Sequence, residues 1–198
     1  MIHFQQEKEL YPMKAFMTAF RISALLLVLC GILYPLATTG AAQLLFPKQA
    51  EGSLIHVGSV PAGSELLAQE TASPGRFQPR ASMAKYDPTA SSGSNRAVGT
   101  KDYVEETLAK ASDWRKQNPG LAEMPADLVT ASGSGFDPDL SPEAAKAQIP
   151  RISKASGIPA DELTKLVDRL TKGRQLGLFG EPRVNVNALN LELSKRTP

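Results

Sequence analysis

The sequence predicts an α+β protein, with one N-terminal transmembrane helix followed by a single small mixed α/β soluble domain. Three observations carry that expectation. From Ile22 to Pro47 no charged residue occurs, and about 26 residues of helix reach about 39 Å against roughly 30 Å of bilayer hydrocarbon. The roughly 150 residues beyond suffice for one hydrophobic core and hardly for two. Their pattern changes midway, from short apolar runs between turns to apolar positions at helical spacing. The expected organisation is a cytoplasmic N-terminal segment at 1–21, a transmembrane helix at 22–47 and an extracytoplasmic soluble domain at 48–198.

Residues 1–12, "MIHFQQEKELYP", read as an extension ahead of a second candidate start at Met13, so Met1 and Met13 both stand as starts. On residues alone the apolar segment has two readings. One is an anchor. The other is a cleaved signal peptide, with Arg21 closing a basic region, an apolar core ending near Leu33 and a small-residue site in "ATTGAA". Lipid attachment at Cys30 is disfavoured because Leu29 stands where a small residue is expected. Lys14 and Arg21 precede the segment closely, so the positive-inside rule puts the N-terminus in the cytoplasm under either reading.

In the soluble part, "SLIHV" and "SELLAQ" read as strands, broken by "VPAGS", "SPGRFQPRAS" and "YDPTASSGSN". From Thr100 a helix is expected, with Val104, Leu108, Ala111 and either Trp114 or Arg115 on its packed side. Asn118-Pro119-Gly120 stops it. "ADLVTAS" reads as a short buried strand. Ser141 should cap a helix with Pro142 in its first position, Pro150 should kink or restart it, and Gly157 should end it. "PADELTKLVDRLTKG" places Leu163, Leu166, Val167 and Leu170 on one helical face. "RVNV" alternates like a strand, and "NALNLELSK" closes as a short helix.

The chemistry classes narrow quickly. With 22 basic and 20 acidic residues the formal charge is +2, and no basic stripe points to nucleic acid. One cysteine allows no intrachain disulfide or multi-thiolate metal site. "SGSGFDPDL" lacks the lysine and spacing of a phosphate-binding P-loop. Asp137 and Asp139 fit the first two ligands of a calcium loop, but the glycine such a loop needs is replaced by Pro142. A helix-capping role for Asp139 and Ser141 outweighs it. "SMAK" presents Ser82 and Lys85 in the S-x-x-K spacing of serine hydrolases, without the accompanying Ser-Asp-Asn and Lys-Thr-Gly elements. His3 lies on the wrong side of the apolar segment for a Ser-His-Asp set, and His56 in "SLIHV" reads as an ordinary strand residue.

A longer pattern remains. "GSELLAQ" (63–69), "SPGRFQPRAS" (73–82), "YDPTASSGSN" (86–95), "PADLVTASGSGFDPDLSPEAAKAQIPRISKASG" (125–157) and "GLFGEPRVNVNALNLEL" (177–193) together resemble the C subunit of the Kdp potassium-transporting P-type ATPase. The likeness covers nearly the whole chain after Met13. It departs at Arg76, where the family tends to carry an aromatic, and at Arg80-Ala81-Ser82, where Arg-Pro-Ser is usual.

The resemblance implies a non-catalytic accessory subunit of a high-affinity, ATP-driven potassium import complex in the inner membrane. It implies that the helix is retained as an anchor. The implied partners are the P-type ATPase pump subunit and a channel-like potassium-translocating subunit, with a small single-helix subunit as a further candidate. ATP, magnesium and potassium belong to the complex, and this chain carries no cofactor of its own. For the family a catalytic-chaperone role has been proposed, in which a glutamine raises the pump's ATP affinity, and Gln148 is the matching nucleotide-related residue here. That role conflicts with topology, because ATP is cytoplasmic and residue 148 falls on the opposite side of the membrane. The expected alternative for Gln148 is hydrogen bonding to backbone or partner near Pro150. The alternative function is a stand-alone membrane-anchored or exported serine hydrolase using Ser82 and Lys85.

Overall fold

The computed structural model describes the backbone of residues 2–196 and the side chains of residues 12–196, so Met1 and the side chain of His3 lie outside the described residues. The chain divides into two compact units, Met1–Ser53 and Leu54–Pro198.

The first unit is built on helix α1 (Ile2–Val28), a π turn (Leu29–Leu33), α2 (Tyr34–Leu45) and a single turn α3 (Pro47–Ala50). The wide turn has an identifiable cause. Pro35 has no N–H, and in a regular α-helix its ring would press on the carbonyl four residues back, that of Gly31. Widening the preceding turn sends the Tyr34 N–H to the Leu29 oxygen, five residues back, and moves the ring clear. The Thr38 hydroxyl then donates to the carbonyls of Tyr34 and Pro35. The stretch Pro12–Leu45 is long and apolar enough to cross a membrane, with a mean hydropathy of 2.2 over its most apolar 18 residues. Its 34 residues reach about 51 Å. It stops at Leu45 because Pro47 pushes Phe46 out of the helical region, to φ −140° and ψ 56°.

The second unit is a small mixed domain. Strands β1 (Leu54–Val57) and β2 (Val60–Ser64) form an antiparallel hairpin, Leu54 opposite Ser64 and Val57 opposite Val60. Here the structure corrects the sequence reading: "VPAGS", expected to be a break, is the second strand. Pro61 is tolerated because it faces His56 beside the irregularity between Ile55 and His56, where the ladder is already interrupted. "SELLAQ" is not a strand, since the Ser64 hydroxyl accepts from the Leu66 N–H and turns the chain.

Helix α4 (Lys101–Gln117) follows, stopped at Asn118 as expected. Its packed face differs from the expected one. Ala111 is buried and Tyr103, Thr107 and Trp114 are half-buried, whereas Val104 and Leu108 are exposed. The helix packs on α5 (Ala126–Val129), and that contact selects the Tyr103–Thr107–Trp114 side. "ADLVTAS" also differs: Pro125 opens a helical turn, closed by the Thr130 N–H and hydroxyl on the Ala126 carbonyl. Only Ala131 forms a β-bridge, parallel to Ala81.

The remainder follows the sequence closely. After β3 (Asp139–Leu140), the Ser141 hydroxyl accepts from the Ala144 N–H and caps α6 (Pro142–Lys146). Helix α7 (Ile149–Ser156) restarts at Pro150 and ends on Gly157 at φ 75°, a left-handed position suited to glycine. Helix α8 (Ala160–Leu170) buries Leu163, Leu166 and Val167. It packs against α6, α7, β4 (Val184–Asn185) and α9 (Val186–Ser194), the last capped by Asn185. Between α8 and β4 an arm folds back on itself through Lys172–Arg183 and Gln175–Phe179 bridges. The core of the unit gathers around Phe77, Leu140, Ile152, Leu166, Val184 and Leu189.

Candidate functional site

Residues 73–82 have almost no regular structure of their own, yet Phe77 and Pro79 are buried. Buried backbone N–H and C=O groups must find partners, and two prolines in this stretch reduce the donors. The partners are side chains from the far end of the chain. Asn190 on α9 accepts from the Phe77 N–H through Oδ1 at 2.9 Å and donates to the Phe77 carbonyl through Nδ2 at 2.8 Å. Gln148, just before α7, does the same for Gln78: Oε1 accepts its N–H at 2.8 Å and Nε2 donates to its carbonyl at 3.0 Å. Each amide side chain thus replaces one rung of a β-ladder.

Arg151, one turn beyond Gln148, completes the arrangement. Its guanidinium donates to the carbonyls of Pro74 and Arg76 and, at 2.9 Å, to Gln148 Oε1. Burial pushes the Arg151 guanidinium below its ordinary pKa, though it stays charged at any physiological pH. Three electronegative oxygens offset the lost hydration. Arg76, where the chain departs from the resemblance, donates to the Asn190 carbonyl at 2.9 Å. Arg80 reaches Asp137 at 3.2 Å and Thr130 at 3.2 Å, tying the segment to the 129–137 loop.

That loop has its own closing device. The Ser132 hydroxyl is buried and accepts from the N–H groups of Gly135 and Asp137. Gly135 sits at φ 80°, and a Cβ there would lie 2.9 Å from the Ser92 carbonyl oxygen; a Cβ on Gly93 would lie 2.7 Å from the Gly133 oxygen. Two backbones therefore pass closer than any side chain permits. Gly93→Ala is expected to lose about 2 kcal/mol by forcing them apart, read as a lowered denaturation midpoint at unchanged m-value.

The sequence-selected residues fall as follows. Gln148 is fully buried and hydrogen-bonded as above. Ser82 accepts from the Tyr86 N–H at 3.0 Å, while Lys85 is exposed with φ 52°. Among the described residues no hydrogen bond joins Ser82 to Lys85. Asp139 does not cap α6; it pairs with Arg183 at 2.8 Å, and only Ser141 caps. Asp137 accepts from the Asp139 N–H. His56 is exposed on β1. Among the described residues no group of three or more His, Cys, Asp or Glu could hold a metal.

Tyr86 links the same parts, its hydroxyl donating to the Arg80 carbonyl at 2.9 Å. Burial raises its pKa above the ordinary value, and the Glu70 carboxylate adds to the rise. The folded state holds this proton more tightly, so its contribution is complete below about pH 10 and declines as pH rises through the folded-state pKa. Tyr86→Phe is expected to cost about 1 kcal/mol at pH 7. It should also flatten the alkaline limb of a stability–pH curve, measured by urea titration.

Sequence reasoning passed over the asparagines of "NVNALN". Besides Asn190, Asn185 Nδ2 donates to the Glu65 carbonyl and Asn187 Nδ2 to those of Ser64 and Leu67. The available signal was composition: three asparagines in six residues, poor helix formers, on a segment otherwise patterned to be buried. This arrangement can hold an extended peptide rigidly. It presents no nucleophile beside a base.

Comparison with known proteins gives one family. Residues 16–195 match the family model described as KdpC, K+-transporting ATPase, c chain. The Potassium-transporting ATPase KdpC subunit of Caldanaerobacter subterraneus subsp. tengcongensis is 47% identical over 175 residues, covering 87% of this chain and 91% of that protein. The KdpC subunits of Bacillus cereus (strain Q1) and Bacillus mycoides are each 46% identical over 178 residues, covering 88% of this chain and 92% of theirs.

Proposed function

Because this chain belongs to the KdpC family, the c chains of K+-transporting ATPases, we propose that it is a membrane-anchored scaffold that holds the transport complex together. The observation that carries this reading is the use of Gln148, Arg151 and Asn190. Gln148 and Arg151 are buried and Asn190 is half-buried, and all three are committed to fixing the 74–78 backbone. A rigid surface is what an assembly subunit needs.

In this reading α1 and α2 anchor the chain, with the N-terminus cytoplasmic and the soluble domain extracytoplasmic, following the placement of Lys14 and Arg21. The partners are the P-type pump subunit and the channel-like potassium-translocating subunit, with a small single-helix subunit as a further one. ATP, magnesium and potassium act on those subunits. An effect on the pump's ATP affinity would run through assembly, since nucleotide contact by Gln148 would require breaking its hydrogen bonds to Gln78 and Arg151.

The test is purification of the complex in mild detergent from potassium-starved cells with and without this chain, with potassium-stimulated ATPase activity assayed on each. Poor association of pump and channel-like subunits in its absence is expected. A normally associated, active complex lacking the chain would remove the reading.

A further inference from the structure

We propose that the cavity between α4 and the 70–81 stretch binds a small zwitterion of the amino-acid class, its carboxylate held by Lys110 and Trp114 and its ammonium by Glu70 and Gln78. This goes beyond the scaffold reading and does not depend on it. The hollow measures about 280 Å³, and those four side chains line it together with Pro79, Tyr86 and Leu128. Sites for drug-sized ligands run to roughly 300–1,000 Å³, so this one suits a molecule of a few heavy atoms.

Its polar groups, unlike those of the clamp, are unspent. Among the described residues Glu70 makes no ion pair or hydrogen bond, and the Gln78 side-chain amide and the Trp114 indole N–H have no hydrogen-bond partner. The clamp itself frees the Gln78 side chain, because Gln148 takes the backbone N–H and carbonyl of that residue. Tyr86 is fixed by its bond to the Arg80 carbonyl, and the Glu70 carboxylate is near enough to its hydroxyl to help raise its pKa. A site held in shape beforehand loses little entropy on binding.

The two sides of the cavity differ in chemistry. Lys110 and Trp114 stand four residues apart on one face of α4, and both side chains only donate. Glu70 only accepts, and Gln78 adds an amide oxygen. Charge then selects a zwitterion over a simple ion. Lys110 shares the Glu106 carboxylate, at 2.8 Å, with Arg96, at 2.5 Å, so two cations meet one anion on that side and Glu70 supplies the balancing charge. A net cation would gain at Glu70 and lose at Lys110, and a net anion the reverse. Lysine carries three N–H donors, and Glu106 is the one carboxylate paired with Lys110 among the described residues, which leaves donors for a ligand carboxylate.

Trp114 is the single tryptophan of the chain, so its emission reports occupancy directly. The experiment titrates the full-length chain in detergent micelles with glycine and with L-valine, and then with their singly charged analogues: methylammonium and acetate, isobutylammonium and isovalerate. A saturable change in emission is expected with an amino acid, with each analogue binding at least tenfold more weakly. Glu70→Gln and Lys110→Met should each weaken the amino acid at least tenfold, and the thermal melt of Glu70→Gln should match wild type, since its carboxylate bonds nothing in the fold. No saturable change with either amino acid, an analogue binding as tightly as its parent, or undiminished binding by Glu70→Gln would overturn the proposal.

Discussion

Gln148→Leu is expected to destabilise the soluble unit by about 3 kcal/mol, with the loss spread over groups the leucine never touches. The substitution removes both hydrogen bonds to Gln78 and the acceptor for Arg151. The Gln78 N–H and C=O are then left without partners beside a buried proline, and each such group costs on the order of 1–3 kcal/mol. For a domain of this size that lowers the melting temperature by roughly 10 °C. Gln148→Glu gives the sharper comparison. A carboxylate still accepts from Gln78 N–H and from Arg151, but it sets an oxygen against the Gln78 carbonyl where Nε2 donated at 3.0 Å. Its loss should be smaller and should ease as acid protonates the new group. Two readings of Gln148 are separated by measuring stability and the complex's ATP affinity on the same variants. A scaffold role requires the two to fall together. A nucleotide ligand requires ATP affinity to fall further than the loss of stability and association accounts for, most visibly in Gln148→Glu, whose stability loss is the smaller.

Phe77→Ala is the second large effect, expected at about 3–5 kcal/mol. The ring is fully buried in the core, and its backbone is the part that Asn190 holds. Truncation leaves a cavity whose walls cannot collapse, because the surrounding backbone is pinned through Phe77 and Gln78. Phe77→Leu, nearer in volume, should cost only about 1–2 kcal/mol. Equilibrium urea unfolding checks both. Unless the alanine variant costs at least twice what the leucine variant does, the pinned-wall account is wrong.

The sequence was most legible where structure is local. Ser141 and Pro142 announce α6, Gly157 ends α7, and the Leu163–Leu166–Val167 spacing gives α8, each by a device spanning fewer than about eight residues. Legibility failed where a remote partner decides. Pro61 lies in a strand because its neighbour across the hairpin is at an irregularity. Val104 and Leu108 are exposed because α5 takes the other side of α4. The polar clamp was the least visible, since amide-to-backbone bonds leave no periodicity. The family likeness gave the assignment to a potassium-transporting complex, and Gln148 entered through it, while Arg151 and the three asparagines emerged only from geometry.

The asparagines of α9 reach back 113 to 123 residues to grip Ser64, Leu67 and Phe77. On the ribosome, then, the earlier part of the soluble unit is made long before its restraints exist. At about 5–20 residues per second, the wait is on the order of 10 s. Through that interval Leu67 and Phe77 lack their asparagine grips, and until Gln148 and Arg151 have followed the 74–78 backbone lacks the rest of its clamp as well, which leaves 64–80 open to proteases and to chaperones. A nascent chain halted before α9 should therefore be cut within 64–80, and one carrying α9 should resist. Protection of the 64–80 stretch is thus set by the order of synthesis, since its final grips arrive only with α9.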